Sequence, residues 1–488
     1  MANIDQILLA FPPDYHATLS DEKYDEAAKQ FLEQLKYMVD EKSTLFVASA
    51  PQLVQLLDPS LNSISTLLLI NRLKDLADGA SPITRPELTQ LVVRFLESFD
   101  GRQIRYVGDL YLELIHELVK CKWVPGPQAV GLLASAILRI DPTSQMLTSS
   151  HCHLAELAYE SRQFEAALPV IGIPYVYVPG MKNQTDPQHF GDSGASPAAF
   201  ISTRTNLTEN LSKDAIMKYD TTCGMIFADL GRWKDAHAAF SRVVAFPSRD
   251  GSVILAMASA YKKMVFSSLL AYGRLAPLPH VHGATPKQYQ TAAKAYHDVA
   301  NVFMHENVEK LKNEVYKYSQ EWSEDGNVAL VQLVMEGYQK WQIIALGDIY
   351  SKISISEVRE LTKSAVTGKR LPTDEAVETL IVGMISTGLL NGVVMTHTDG
   401  KKYLSFLPQG GEITESEFAA ELKRSVARMQ ALAKIVQSTD TRLLTHKDHI
   451  KFIHRELKQT DADSHMDAGF GFDQSIEDED LMVGISQD

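Results

Sequence analysis

The stretch that decides the fold is residues 346–408, LGDIYSKISISEVRELTKSAVTGKRLPTDEAVETLIVGMISTGLLNGVVMTHTDGKKYLSFLP. It predicts a compact module of helices that ends in a hairpin. Apolar side chains recur at helical spacing over residues 341–352 and predict the first helix. Ser354 and Glu357 match a capping box, in which a hydroxyl and a carboxylate each accept from a free backbone amide. A second helix is therefore predicted directly after Ser354.

The third helix and the hairpin follow from signals of the same kind. Thr373 is a suitable N-cap, and the two acidic residues after it suit the positive end of a helix. Gly388 accepts the left-handed conformation of a helix C-cap. Two β-prone runs, residues 393–396 and 403–407, are separated by a turn-forming Asp-Gly pair. Three helices followed by a hairpin make a winged helix.

The charge of this module indicates what it binds. In DNA-binding winged helices the third helix enters the major groove, and lysine and arginine supply the phosphate contacts. Here the third helix has no basic residue, and Asp374, Glu375 and Glu378 would repel phosphate. We expect a protein-binding module whose hairpin edge extends a neighbour's sheet through backbone hydrogen bonds. The hairpin residues assigned to that interface are Val393, Val394, Met395, Tyr403, Leu404 and Phe406.

After the hairpin, residues 409–459 predict a C-terminal helical segment with one apolar stripe. Its apolar residues fall three and four apart, with charged residues between them. The stripe has no obvious partner within the chain, which favours insertion into a bundle of several subunits; packing on its own winged helix is the alternative. A polar break at residues 438–441 allows either a second helix or a bent continuation. The stripe consists of Phe418, Leu422, Val426, Met429, Leu432 and Val436.

Upstream of the winged helix, the pattern predicts an all-α solenoid of paired helices similar to tetratricopeptide repeats. One pair is explicit, because a leucine-glycine turn at Leu230 is followed by Trp233, Ala236 and Phe240. A polar stretch over residues 179–207 predicts an exposed loop. Further helices are predicted at residues 24–39, 61–76, 88–99, 107–119 and 129–140. The predicted parts are N-terminal repeats over 1–212, a domain over 213–408 with repeats at 213–339 and the winged helix at 340–408, a helical segment at 409–459 and an acidic tail at 460–488.

Composition, charge and hydropathy indicate a folded protein with an acidic tail and argue against a secreted or membrane-spanning protein. The chain has 488 residues, 45% of them hydrophobic, and a net charge of -14 that is concentrated after Thr460. That tail is predicted to be disordered, and Ser475 lies in an acidic context that would suit an acid-directed kinase. Neither a signal peptide nor a bilayer-length apolar run is evident, which predicts a protein of the cytoplasm and nucleus.

The sequence predicts no catalytic residue, no cofactor and no metal site. Residues 191–194, GDSG, match the surroundings of a serine-protease nucleophile, but that chemistry needs a double β-barrel and this region is helical. His151 and His153 begin a zinc pattern in which an aspartate should follow, yet Phe164 occupies that place. The three cysteines are far apart and are expected to be buried, apolar side chains.

Several short motifs stand in a characteristic order: AYKK at 260–263, SSLL at 267–270, GR at 273–274 and AYHDVA at 295–300. With the helical repeats and the winged helix around them, they resemble the PCI proteins of the proteasome lid, the COP-nine signalosome and a translation initiation factor complex. The likeness is greatest to a signalosome subunit and covers residues 219–408. The polar insert near residues 184–196 departs from the family.

The resemblance implies a non-catalytic scaffold. Winged helices of this family lie side by side through their hairpins, and C-terminal helices join a central bundle. The assembled signalosome removes a ubiquitin-like modifier from cullins and regulates cullin-RING ubiquitin ligases, with the zinc chemistry in a different subunit. The implied partners are sister PCI subunits, with cullin-RING ligases bound indirectly and no nucleic acid or membrane. Two alternatives remain: a scaffold of the proteasome lid or the initiation factor complex, and a nucleic-acid-binding winged helix.

Overall fold

The computed structural model describes residues 4–13, 19–41, 43–74, 76, 81–179, 190–192, 196–247, 253–279, 285–305, 307–396, 401–407, 415–445, 447 and 449–454. It is almost entirely helical, with a small sheet near its C-terminal end, as the sequence predicted. The helices are α1 (Ile4–Leu8), α2 (Asp21–Glu41), α3 (Ser43–Ala48), α4 (Ala50–Leu56), α5 (Ser63–Lys74), α6 (Arg85–Ser98), α7 (Gly101–Ile104), α8 (Gly108–Val119), α9 (Gly126–Ile140), α10 (Ser149–Ser161), α11 (Phe164–Ile171), α12 (Pro197–Phe200), α13 (Lys213–Asp229), α14 (Trp233–Val244), α15 (Leu255–Tyr272), α16 (Thr285–Ala292), α17 (Lys294–Met304), α18 (Val308–Lys317), α19 (Ser319–Glu324), α20 (Val328–Leu346), α21 (Ile355–Leu361), α22 (Asp374–Ser386) and α23 (Glu415–Thr445). The strands are β1 (Lys352–Ser354), β2 (Gly392–Thr396) and β3 (Lys402–Phe406).

Consecutive helices that pack on one another build the solenoid. Helices α13, α14 and α15 pack one on the next, and α9, α10 and α11 do the same upstream. The explicit repeat is confirmed: Gly231 takes a φ of 70° in the turn between α13 and α14, and Ala236 and Phe240 are buried on α14. Small residues on one helix face let the next helix approach, so adjacent pairs share one continuous core.

A buried polar network fastens the same region. Asp220 on α13 is almost completely enclosed, and its Oδ1 accepts a hydrogen bond of 2.7 Å from Arg242 Nε on α14. Its Oδ2 accepts from the hydroxyl of Tyr175 at 2.8 Å. Burial raises the pKa of Asp220, and the two donors oppose that shift. The carboxylate therefore depends on these partners for its stability inside the repeat.

The winged helix forms largely as predicted, although its first helix ends earlier. Helix α20 stops at Leu346, whose carbonyl accepts from the backbone amide of Tyr350 at 2.8 Å and closes a turn. Ile349 is 75% exposed in that turn. The predicted helix over residues 341–352 is thus wrong at its end, because apolar residues of the turn and of the following strand happened to continue the helical spacing.

The predicted caps are present at the next two helices. Ser354 Oγ accepts from the Glu357 amide at 3.2 Å, and Glu357 Oε2 accepts from the Ser354 amide at 3.1 Å. At the start of α22, Thr373 Oγ1 accepts from the Ala376 amide at 3.2 Å. Gly388 follows the end of α22 with a φ of 69°. Local capping chemistry therefore sets the bounds of α21 and α22.

The sheet has three strands where the sequence indicated a two-stranded hairpin. Its order is β1-β3-β2, and β1 pairs antiparallel with β3, with Ile353 opposite Leu404. Both of these side chains are buried in the core of the module. The sequence did not predict strand β1, because three residues between two helices are too few to show an alternating pattern. Strand β2 lies at an edge of the sheet.

Within the polar stretch at 179–207, where an exposed loop was predicted, parts of the described segments pack into the body, while residues 180–189 and 193–195 lie outside the described residues. Phe200, at the end of α12, is buried, and the guanidinium of Arg105 lies 3.6 Å from the centre of its ring. Gly191 donates its amide to Asp25 Oδ1 at 2.9 Å, and Arg102 Nε donates to the Gly191 carbonyl at 2.6 Å. A few apolar residues among many polar ones anchor these segments.

The contacts divide the chain into two units, one with the helical body and most of the sheet, and one that contains α23. Helix α23 runs continuously from Glu415 to Thr445, so the polar residues 438–441 do not interrupt it. In the part of the chain that the structure describes, no helix combines the length and the apolarity needed to span a bilayer. The acidic tail at 460–488 lies outside the described residues.

Candidate interaction surfaces and the interior of the repeats

Helix α22, the third helix of the winged helix, presents an acidic start and no cation of its own. Asp374, in its first turn, faces Arg359 of α21, with 3.2 Å between Oδ1 and NH1. Glu378 pairs with Lys402 of β3, whose Nζ lies 2.6 Å from Oε2. Because these neighbouring cations already face carboxylates, they offer little field to a phosphate backbone. The described surface around α22 is therefore acidic, whereas a nucleic-acid reader presents a basic one.

Strand β2 has one neighbouring strand among the described residues and carries exposed apolar side chains at that sheet edge. Val393 and Met395, two residues apart and so on the same face, are 45% and 44% exposed. Val394 is half-buried, as are Tyr403 and Phe406 on β3. Leu404 is fully buried, so its side chain belongs to the module's own core and is withdrawn from the predicted contact surface. The available edge surface therefore consists of the other five predicted residues.

Helix α23 carries the predicted stripe on one continuous face. All six residues are exposed, from 39% for Val426 to 64% for Met429. At 100° per residue the six fall within about a third of the helix circumference. Ala420 and Ala427 lie on the opposite side of the helix. Helix α23 is therefore amphipathic, with large apolar side chains gathered on one side.

The cysteines differ from one another in their surroundings. Cys152 and Cys223 are buried, as expected, and burial raises the pKa of the Cys152 thiol to about 12 and that of Cys223 as well. Cys121 is exposed, which corrects the expectation for that residue: it follows α8 in a turn with a φ of 54°. A thiol that stays protonated at neutral pH is a poor nucleophile, so the two buried cysteines act as small apolar side chains.

His151 and His153, the two histidines of the incomplete zinc pattern, have different surroundings in the structure. His151 is buried and interacts with Thr148 Oγ1 at 2.8 Å through Nδ1 and with Ser144 Oγ at 3.2 Å through Nε2. Burial lowers the pKa of His151 to about 4. His153 points elsewhere and lies beside His116 and Glu209. These three residues come from α8, α10 and the segment before α13, so no local spacing in the sequence could have revealed them.

Ser475 lies outside the described residues, as do Ser193 and Gly194 of the GDSG sequence. His280 and His282, a second pair of histidines with the spacing of His151 and His153, lie outside them too. Gly191 and Asp192 are described, and their backbone is bound by Arg102 and Arg105. The described half of that sequence thus anchors the insert to the repeats.

The fold and these surfaces define the class: a helical-repeat protein that carries a winged helix and an amphipathic C-terminal helix. A family model described as the N-terminal helical repeats of COP9 signalosome complex subunit 3 matches residues 26–191 and 200–285. The chain belongs to the COP9 signalosome complex subunit 3 family.

Full-length relatives agree with this assignment. The chain is similar to COP9 signalosome complex subunit 3 of Neurospora crassa, with 34% identity over 98% of both chains. It is also similar to the subunit of that name in Emericella nidulans, at 26% identity over 91% of both chains. In Drosophila melanogaster the identity is 24% over 78% of this chain and 82% of the relative. The likeness therefore extends beyond the repeats into the winged helix and α23.

Proposed function

We propose that the chain is a non-catalytic scaffold subunit of a COP9 signalosome, the complex that removes a ubiquitin-like modifier from cullins and so regulates cullin-RING ubiquitin ligases. It would work in the cytoplasm and nucleus, bind sister subunits directly and reach the ligases through them. The observation that carries the proposal is the exposed apolar stripe of α23 in a chain of this family.

The stripe supports a scaffold role because its apolar side chains are exposed in the isolated chain. They would contribute stabilising free energy only when a partner buries them. Burying one Leu or Met side chain contributes about 1.5–3 kcal/mol. Leu422, Met429 and Val436 recur along a helix of 31 residues, so contact with a partner helix would repeat over several turns. Leaving such a face in water is costly, which favours insertion into a helical bundle.

The sheet edge supports a second contact. Strand β2 has one neighbour in the described sheet, and Val393 and Met395 extend from it into solvent. A sister winged helix could pair with this edge through backbone hydrogen bonds and cover both side chains. The acidic α22 beside it disfavours the alternative of nucleic-acid binding.

The interior of the repeats supports a role without chemistry of its own. Two of its buried polar groups are occupied by hydrogen bonds: Asp220 accepts from Arg242 of the neighbouring helix, and both ring nitrogens of His151 interact with hydroxyls. The buried thiols are held protonated. We therefore assign the removal of the modifier to another subunit of the assembly.

Deletion of residues 415–488 tests the assembly role. The shortened chain is co-expressed with the other signalosome subunits, and their co-purification is compared with that of the full chain. We expect the shortened chain to keep its helical circular dichroism and cooperative unfolding but to be absent from the purified complex. Normal recovery in the complex would overturn the role given to α23.

A second measurement tests the absence of catalysis. The isolated full chain, with and without added zinc, is incubated with a cullin that carries the ubiquitin-like modifier. We expect no cleavage, whereas the complete complex cleaves under the same conditions. Turnover by the isolated chain would contradict the proposal.

A further inference from the structure

His116, His153 and Glu209 converge on one point between separate parts of the helical body. One ring nitrogen of each histidine and one carboxylate oxygen of Glu209 all lie within 4.8 Å of one another. His116 Nε2 is 3.2 Å from Glu209 Oε1. The two imidazole rings stand almost perpendicular, at 87°, with 5.6 Å between their centres. Two imidazoles and one carboxylate form a donor set that zinc uses in proteins.

His153 supplies the observation that favours a ligand. Its Nε2 is buried and has no hydrogen-bond partner among the residues that the structure describes. A buried polar nitrogen without a partner is destabilising, so such groups are nearly always paired. By contrast, the ring nitrogens of neighbouring His151 both interact with hydroxyls of Thr148 and Ser144. A metal ion bound through Nε2 would give His153 a partner that the described residues do not provide.

The third ligand is held in place by the start of α10. The amide of Ser149 donates to Thr208 Oγ1 at 3.0 Å, and the amide of Glu209 donates to Ser149 Oγ at 3.1 Å. These bonds fix the backbone of residues 208 and 209 against the helix that carries His153. The side chain of Glu209 is 50% exposed and that of His116 is 34% exposed, so an ion can enter from solvent.

The distances suit a tetrahedral ion after a small adjustment. Zinc binds nitrogen and oxygen at about 2.0–2.1 Å, which places neighbouring ligand atoms about 3.3 Å apart. The separation of 3.2 Å between His116 and Glu209 already meets this condition. Separations of up to 4.8 Å would close to this value through small changes in the side-chain torsions of His116 and Glu209, which are partly exposed. A water molecule would complete the coordination.

We propose that His116, His153 and Glu209 form a zinc site that joins α8, α10 and the segment leading into α13. This site is separate from the winged helix and from α23, and none of the assembly contacts proposed above depends on it. Bound zinc would fasten the N-terminal helices to the start of the next repeat, so its expected effect is structural.

The test uses the full chain, stripped with a chelator and titrated with zinc chloride. Metal content is measured after gel filtration, and cobalt chloride replaces zinc in a parallel titration followed by visible absorption. We expect one zinc per chain, a higher unfolding temperature in its presence and a cobalt spectrum of nitrogen and oxygen ligation. His116→Gln and Glu209→Gln should each weaken zinc binding at least tenfold.

His305→Gln is the matched control, because His305 is exposed and lies after α17, away from the cluster. It should bind zinc as the unchanged chain does. The two ligand variants replace partly exposed side chains, so circular dichroism should show that they remain folded. Zinc affinity unchanged in both variants, or a cobalt spectrum dominated by thiolate ligation, would overturn the proposal.

Discussion

Gly224 of α13 lies directly against the ring of Phe240 on α14. A Cβ atom built at Gly224 would stand 2.6 Å from Phe240 Cε1 and 2.8 Å from Cζ, closer than atoms can approach. Phe240 is itself buried on its far side by the rest of the repeat, with 2% of its surface exposed. The absence of a side chain at one position thus sets the distance between two helices of the solenoid.

Gly224→Ala is therefore expected to destabilise the chain by about 1–3 kcal/mol, because the new methyl group overpacks a filled core. Gly131→Ala is the control, since Gly131 lies in α9 with open space around a Cβ and should become slightly more stable. Chemical denaturation of both variants measures the difference. Equal stability of the two would show that α13 and α14 can separate without cost.

Asp220→Asn removes the charge that pairs with Arg242. The loss is expected to destabilise the chain by about 2 kcal/mol, less than for a fully buried pair because Arg242 remains partly in contact with water. Replacing both residues, as Asp220→Leu with Arg242→Met, should restore much of the stability. A double-mutant cycle based on urea unfolding measures the coupling. A coupling energy near zero would contradict the paired network.

Met429→Glu places a charge at the centre of the α23 stripe. It is expected to reduce binding to partner subunits at least tenfold, because it removes apolar contact and buries a carboxylate. Ala427→Glu introduces the same charge on the opposite side of the helix and should leave binding nearly unchanged. Co-purification and the affinity for the remaining subunits are compared. Equal loss in both variants would mean that the stripe does not define the contact.

Val393→Lys together with Met395→Lys places two charges on the exposed face of β2. Lysines on an edge strand oppose pairing with another sheet, so we expect weaker association with the neighbouring winged helix. Thr379→Lys is the control, as it adds a lysine on exposed α22. Crosslinking within the purified complex reports the contact. Unchanged crosslinking in the double variant would count against the edge as an interface.

The parts that could be predicted from the sequence are those fixed by local chemistry. The helix starts after Ser354 and Thr373, the helix end before Gly388 and the stripe of α23 depend on side chains within a few residues of one another. Each such signal has a physical cause that operates before the chain folds. For the same reason the explicit repeat around Leu230 was recognised.

The parts that could not be predicted depend on neighbours far along the chain. Strand β1 is defined by pairing with β3, fifty residues later, and Leu404 is buried by that pairing. The meeting of His153 with His116 and Glu209 needs three elements in their final positions. Cys121 was predicted to be buried because cysteine is usually buried, but it lies in a turn and is exposed. Tertiary packing, which a single sequence does not display, decides all of these.

Phosphorylation of Ser475 and the division of the chain into repeats, winged helix, helical segment and tail stay predictions. Mass spectrometry of the purified complex measures the first. Limited proteolysis measures the second: cuts between the winged helix and α23 are expected before cuts within the repeats, because the sequence there, PQGGEIT at residues 408–414, is typical of a linker.

The amphipathic character of α23 also bears on how much of this protein a cell can tolerate. If sister subunits cover α23 as proposed, a copy made without them would leave a long apolar face in water, which favours self-association and degradation by quality-control proteases. On that proposal, its synthesis is expected to be matched to theirs, and surplus unassembled copies are expected to be short-lived.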